Sequence, residues 1–183
     1  MSSLRNASFA IALLPIAASA QTAATKPAAS PAPPPSCTSA EHRQFDFWLG
    51  EWEVSLPDGS RAGRNRIESI LDGCALQEHW TGASGFSGKS FNLYNRTSGQ
   101  WEQFWVSQGG GRLHLRGGLQ DGAMVLAGER EKPDPDTGKP PRERITWTPQ
   151  ADGSVRQLWE TSKDGGASWQ VTFDGRYRRA AAD

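Results

Sequence analysis

Two cysteines and three histidines in 183 residues are too few for a four-cysteine or two-cysteine, two-histidine zinc module, so any metal centre would have to draw on carboxylates. A charge excess of one sign is also missing. The 20 Lys and Arg are balanced by 20 Asp and Glu, which leaves no electrostatic footprint for nucleic acid. Long hydrophobic runs are scarce: Phe9–Ala18 falls far short of the roughly 20 residues that cross a bilayer, and no later stretch comes closer. No Gly-x-Ser-x-Gly elbow occurs, and no histidine has a second histidine or a cysteine at ligand spacing. Sequence therefore predicts no catalytic residue, metal site or cofactor, and no nucleic-acid partner. His42, His79 and His114 are expected to face solvent or make single hydrogen bonds.

What is present begins with an address. Arg5 precedes the apolar run, and Ala18-Ser19-Ala20 supplies the small residues of a signal-peptidase site, so residues 1–20 read as a secretory signal peptide. Removing it leaves 19 basic and 20 acidic residues, a mature charge of 19 − 20 = −1. Residues 21–36 hold five prolines and one charge, a composition that cannot bury enough apolar surface to offset its ordering entropy, and they read as a disordered tether. The expected location is exported, periplasmic or secreted, with no transmembrane segment in the mature chain. In that compartment Cys37 and Cys74 are expected to form a disulfide, worth roughly 3 to 4 kcal/mol on chain-entropy grounds.

Residues 37–183 are the length of one domain. Turn signals such as Pro57-Asp58-Gly59, Thr97-Ser98-Gly99, Asp121-Gly122 and Asp152-Gly153 recur between segments of strand length rich in aromatic and β-branched residues. The spacing predicts ten strands: Glu51–Leu56, Asn65–Leu71, Ala75–Thr81, Lys89–Asn95, Gln100–Ser107, Arg112–Leu119, Ala123–Glu131, Arg142–Thr148, Ser154–Thr161 and Gln170–Arg178. Short connections make sequence neighbours pair, and closure removes both edges, so the predicted fold is an all-β, up-and-down antiparallel barrel. Ahead of it, Thr38-Ser39-Ala40-Glu41 has capping-box spacing, and Phe45, Trp48 and Leu49 share a helical face before Gly50. A short amphipathic helix plugging a barrel end is expected there.

The segments FDFWLGEWEV (Phe45–Val54), GCALQEHW (Gly73–Trp80), WEQFWV (Trp101–Val106) and RQLWETSKDGGASWQVTFDGRY (Arg156–Tyr177) give the chain a resemblance to exported bacterial lipocalin-like, calycin-type barrels of unknown function. The resemblance covers nearly all of Cys37–Arg178 and implies the barrel fold, but no activity. In outline the chain is also similar to nitrobindin, whose late histidine binds haem. The last histidine here is His114, so the resemblance implies no haem ligand. Ser162–Trp169 resembles an Asp-box hairpin, with Asp164 bonding the turn backbone. Asp134–Gly138 superficially suggests a calcium loop, but it lacks the third acid and the terminal glutamate, and a Pro-rich hairpin loop is expected.

Alternation places Trp101, Gln103 and Trp105 on one strand face, Glu78 and Trp80 on another, and Gln157 and Trp159 on a third. With Trp52 and Arg144 these residues are the candidate lining of a ligand-binding lumen, and Glu78–Arg144 is an expected internal ion pair. Aromatic walls with sparse polar anchors suit a small apolar or aromatic ligand. Two alternatives remain at this stage. One is a filled barrel acting as a cell-envelope interaction module, and the other is an enzyme using Glu78 or His79 at the mouth as general base. The sequence leaves the oligomeric state open.

Overall fold

A computed structural model describes residues 37–181. The expected signal peptide and linker lie outside the described residues. Ten antiparallel strands close into a barrel in simple up-and-down order, each paired with its sequence neighbours and β1 with β10. They are β1 Gly50–Ser55, β2 Arg61–Ile70, β3 Ala75–Gly82, β4 Ser87–Asn95, β5 Gln100–Ser107, β6 Arg112–Gln120, β7 Ala123–Glu129, β8 Arg142–Pro149, β9 Val155–Ser162 and β10 Gln170–Arg179. The turn spacing predicts this count and order. β2 begins earlier than expected, because Arg61, Gly63 and Arg64 pair with β1.

The short helical segment expected before β1 is present, and it takes 3₁₀ form, as two turns at Ala40–Arg43 and Asp46–Trp48. Ser39 caps nothing; its hydroxyl bonds the Glu41 carboxylate at 2.6 Å and His42 Nδ1 at 2.9 Å. The indole of Trp101 takes the Glu41 carbonyl at 3.1 Å, which an α-helix would use for its own ladder. A segment this short forms little helix on its own, so tertiary contacts decide its shape.

This segment plugs one end of the barrel. Phe45 and Trp48 stack at 4.9 Å, Phe45 meets Trp101 and Trp147 edge-on at 5.6 and 5.2 Å, and Trp48 lies 5.3 Å from Trp147. Leu76, Leu115, Met124 and Leu126 complete the packing and are buried with them. Gly50 joins plug to β1 at φ +120°, and the Arg179 guanidinium occupies the place of a Cβ there, so the motif demands glycine. The Cys37–Cys74 disulfide fastens the start of the plug segment to the β2–β3 connection. Arg43 reinforces the clasp, donating to the carbonyls of Cys37, at 3.2 Å, and Gly73.

Candidate functional site

Because strands alternate in direction, the loops at 56–60, 83–86, 108–111, 130–141 and 163–169 gather at the end opposite the plug. Beneath them the barrel is hollow, with a cavity of about 630 Å³. That volume lies within the range of small-molecule sites. The interior is therefore stratified: an aromatic plug below, a polar belt in the middle and an aromatic cup above.

The cup is walled by Trp80 on β3, Trp105 on β5, Trp159 on β9 and Phe173 on β10, with Leu113 and Ile145 between them and Phe86 at the lip. Trp80 and Phe173 meet edge-on at 5.9 Å. The Trp105 ring covers Gly88 on β4 so closely that a Cβ there would sit 2.1 Å from its Cζ2 atom. On β10 the register shifts between Val171 and Phe173, and the irregularity turns both Thr172 and Phe173 toward the cavity.

The belt forms the floor. Glu78 is 4% exposed; Asn65 Nδ2 donates to its Oε1 at 2.7 Å and Ser90 Oγ to its Oε2 at 2.6 Å. Gln103 Nε2 donates to Asn92 Oδ1 at 2.9 Å, and Asn92 Nδ2 donates to Ser90 Oγ at 2.9 Å. Tyr177 donates to Gln157 Oε1 and accepts from Asn65 Nδ2 at 3.3 Å. Such a network is the condition for burying these groups at all. Desolvation raises the Glu78 carboxyl to about 6 against the opposing pull of Ser90 and Asn65. Burial, with the nearby Glu78 charge, pushes the Tyr177 phenol well above its ordinary value, so it stays a donor.

At the mouth, Arg112 pairs with Glu131 at 2.8 Å, and Arg130 reaches inward to Glu143. Glu143 is fully buried and also accepts from Trp159 Nε1 and from Thr161 Oγ1 at 2.8 Å, which orients the Trp159 ring.

Of the sequence-selected lumen residues, the structure brings Glu78, Trp80, Gln103, Trp105, Gln157 and Trp159 together around one cavity. Trp52 and Trp101 face inward but lie in the packed interior, 1% and 2% exposed, away from the cavity lining. The expectation for Arg144 is corrected. It lies on the outer face, donating from Nε and Nη2 to Glu160 Oε2 at 3.1 and 2.9 Å and covering the Trp169 ring at 4.1 Å. No Glu78–Arg144 pair forms, because Glu143, Ile145 and Trp147 take the inner face of β8. Glu143, Tyr177 and the Asn65–Ser90–Asn92 set escape the sequence reading. Alternation with Ile145 and Trp147 was the available signal for Glu143.

The remaining sequence features are structural. Asp164 caps the Asp-box, accepting from Ser168 Oγ at 2.5 Å, Ser168 N at 2.9 Å and Ser162 Oγ at 2.7 Å, and these bonds, the Ser168 hydroxyl foremost, hold its carboxyl far below the usual range. In the 130–141 loop, Asp134 accepts from the amides of Asp136 and Thr137 and from Lys163 Nζ at 2.7 Å, so this buried carboxylate is satisfied by the loop backbone and a lysine. His42 is buried in the plug, while His79 and His114 lie on outer faces beside Glu68 and Glu102 at 3.1 and 3.0 Å. No group of three or more potential metal-ligating side chains occurs among the described residues. No helix among them is long and apolar enough to cross a membrane. A scan against protein-family models finds no match to the chain, and comparison with curated proteins finds no significant relative.

Proposed function

We propose that the protein is an exported, calycin-like barrel that holds a small aromatic or apolar molecule in its upper half without covalent chemistry. One observation carries the reading: the tryptophans divide by exposure. Trp48, Trp52, Trp101 and Trp147 are 0 to 2% exposed, whereas Trp80, Trp105 and Trp159 pack only partly and border a cavity of about 630 Å³. Aromatic surface facing an open cup in a barrel already stabilised by its plug is surface kept for a ligand. The disulfide suits an oxidising compartment, and the sequence at residues 1–20 suits export.

Titration with the uncharged fluorophore N-phenylnaphthylamine tests this. Saturable one-to-one binding, with quenching of tryptophan emission, is expected, and loss of it in a Trp105→Ala, Trp159→Ala double variant that remains folded. Absence of binding to the wild-type chain overturns the reading.

A second reading, an envelope interaction module, is favoured by the outer apolar patch of Phe91, Phe104 and Val106 on β4 and β5, which are 49, 42 and 55% exposed. It does not account for the hollow cup. The general-base reading loses His79, which faces outward, and keeps only Glu78, both of whose oxygens already accept hydrogen bonds.

A further inference from the structure

Glu78 is a carboxylate at the floor of an aromatic cup, and its surroundings carry no compensating cation. Asn65 on β2 and Ser90 on β4 bond it, Tyr177 on β10 lies near it, and Gln103 on β5 and Gln157 on β9 share its cavity lining, all uncharged. Among the described residues, no Lys, Arg or His lies within ion-pair distance of it. The cations of the cup, Arg112, Arg130 and Lys132, stand at the mouth, where Arg112 is matched by Glu131 and Arg130 by Glu143.

A buried carboxylate without a cation is costly, and a protein of this size could fill the position with a neutral residue. The network is nevertheless built for the anion. Asn65 turns its amide Nδ2, not its carbonyl, toward Glu78; that carbonyl oxygen is left buried without a hydrogen-bond partner. Ser90 donates to the second oxygen, and Tyr177 gives its proton to Gln157 rather than to Glu78. The carboxylate borders the open cavity, so a charge delivered by a ligand can reach it. Around that approach stand Trp80, Trp105 and Trp159, aromatic side chains of the kind that attract cations and stack on flat rings. A divalent metal would need further carboxylate or imidazole ligands, and the neighbours of Glu78 are neutral amides and hydroxyls.

We propose that the cavity takes a small protonated arylalkylamine, its ammonium group docked on Glu78 and its ring held among Trp80, Trp105 and Trp159. This rests on the cup being a ligand site at all. Anionic ligands are disfavoured by the floor charge, and neutral aromatic ones gain only the wall contacts.

Calorimetric titration of the full chain with phenethylamine, phenylethanol and phenylpropionate separates these cases without any mutation. The amine is expected to bind at least about tenfold more tightly than the alcohol, and the carboxylate more weakly than both. Amine affinity should fall about tenfold between about pH 7.5 and about pH 5, as Glu78 takes up a proton while the amine keeps its charge. Tyr177 stays neutral throughout this range, and alcohol binding serves as the control for the mouth residues Arg112, Arg130, Glu131 and Lys132. Glu78→Gln should abolish the amine preference, bringing amine and alcohol to equal affinity and removing the pH dependence of amine binding. Equal binding of amine and alcohol by the wild-type chain, or tighter binding of the carboxylate, overturns the proposal while the cup remains a ligand site. Failure of every probe, N-phenylnaphthylamine included, overturns the ligand-site reading itself.

Discussion

The indole Nε1–H of Trp52 donates to the backbone carbonyl of Trp48 at 2.8 Å, tying the barrel's first strand to the plug that precedes it. This bond fixes how far the plug enters. Below it the barrel is solid with aromatic rings; above it lie the polar belt and the open cup. Removing the plug should therefore cost stability without touching the lining. Trp48→Ala is expected to lose about 3 to 5 kcal/mol in denaturant unfolding, the range for a large buried aromatic, while N-phenylnaphthylamine affinity in the folded protein changes little. Loss of binding with little loss of stability would reverse that division.

Cys37 and Cys74 close a loop of 37 residues, and their bridge holds the plug segment at the barrel's lower end. Replacing both by serine should reduce unfolding free energy by roughly 3 to 4 kcal/mol. The far-ultraviolet spectrum of the folded state should be retained, since the ten-strand pairing does not depend on the bridge.

Gly88 is the position over which the Trp105 ring lies. Gly88→Ala places a methyl group where the ring now sits, so the ring must swing into the cup. The expected outcome is a severalfold weaker affinity for N-phenylnaphthylamine and a shifted tryptophan emission maximum, with a stability change of about 1 kcal/mol. Unchanged affinity would show that the Trp105 ring does not line the occupied space.

The pH response of stability follows from Glu78. Its carboxyl titrates at about 6 in the folded chain against an ordinary value of 4.5. The folded state holds this proton more tightly than the unfolded state. The group's contribution is therefore most favourable below pH 4.5 and is lost as pH rises through about 6. The difference corresponds to about 2 kcal/mol at neutral pH. Glu78→Gln should accordingly match the wild type at low pH and gain on it progressively above pH 4.5. In the variant, Ser90 still donates to the side-chain carbonyl, and the unpartnered carbonyl of Asn65 accepts from the new amide after rotation. A variant less stable at neutral pH than at low pH, relative to wild type, would contradict the cost assigned to the charge.

Strand number, order and most strand limits were legible because each strand alternates and each turn carries its own Gly, Asn or Asp signal. Height within the barrel was not. Alternation places Trp101 and Trp105 on the same inner face of β5, yet one joins the plug and the other the cup, and the difference depends on Phe45 and Trp48 arriving from far away in sequence. Arg144 and Glu143 show a different limit. The inner position of Glu143 followed from Ile145 and Trp147, but burying a carboxylate there depends on Arg130 in a distant loop, and that partnership has no local signature. The plug's 3₁₀ form was equally hidden, since the Glu41 carbonyl is claimed by Trp101 from β5.

The central claim is that the cup stays open and admits an aromatic molecule. A crystal structure of the protein soaked in bromonaphthalene tests it most directly, since bromine is located by its anomalous scattering. The account predicts one strong bromine peak above the Glu78–Gln157 floor, between Trp80, Trp105 and Trp159, with the plug aromatics unmoved. A structure in which those three tryptophans collapse inward and leave no bromine in the barrel would contradict it.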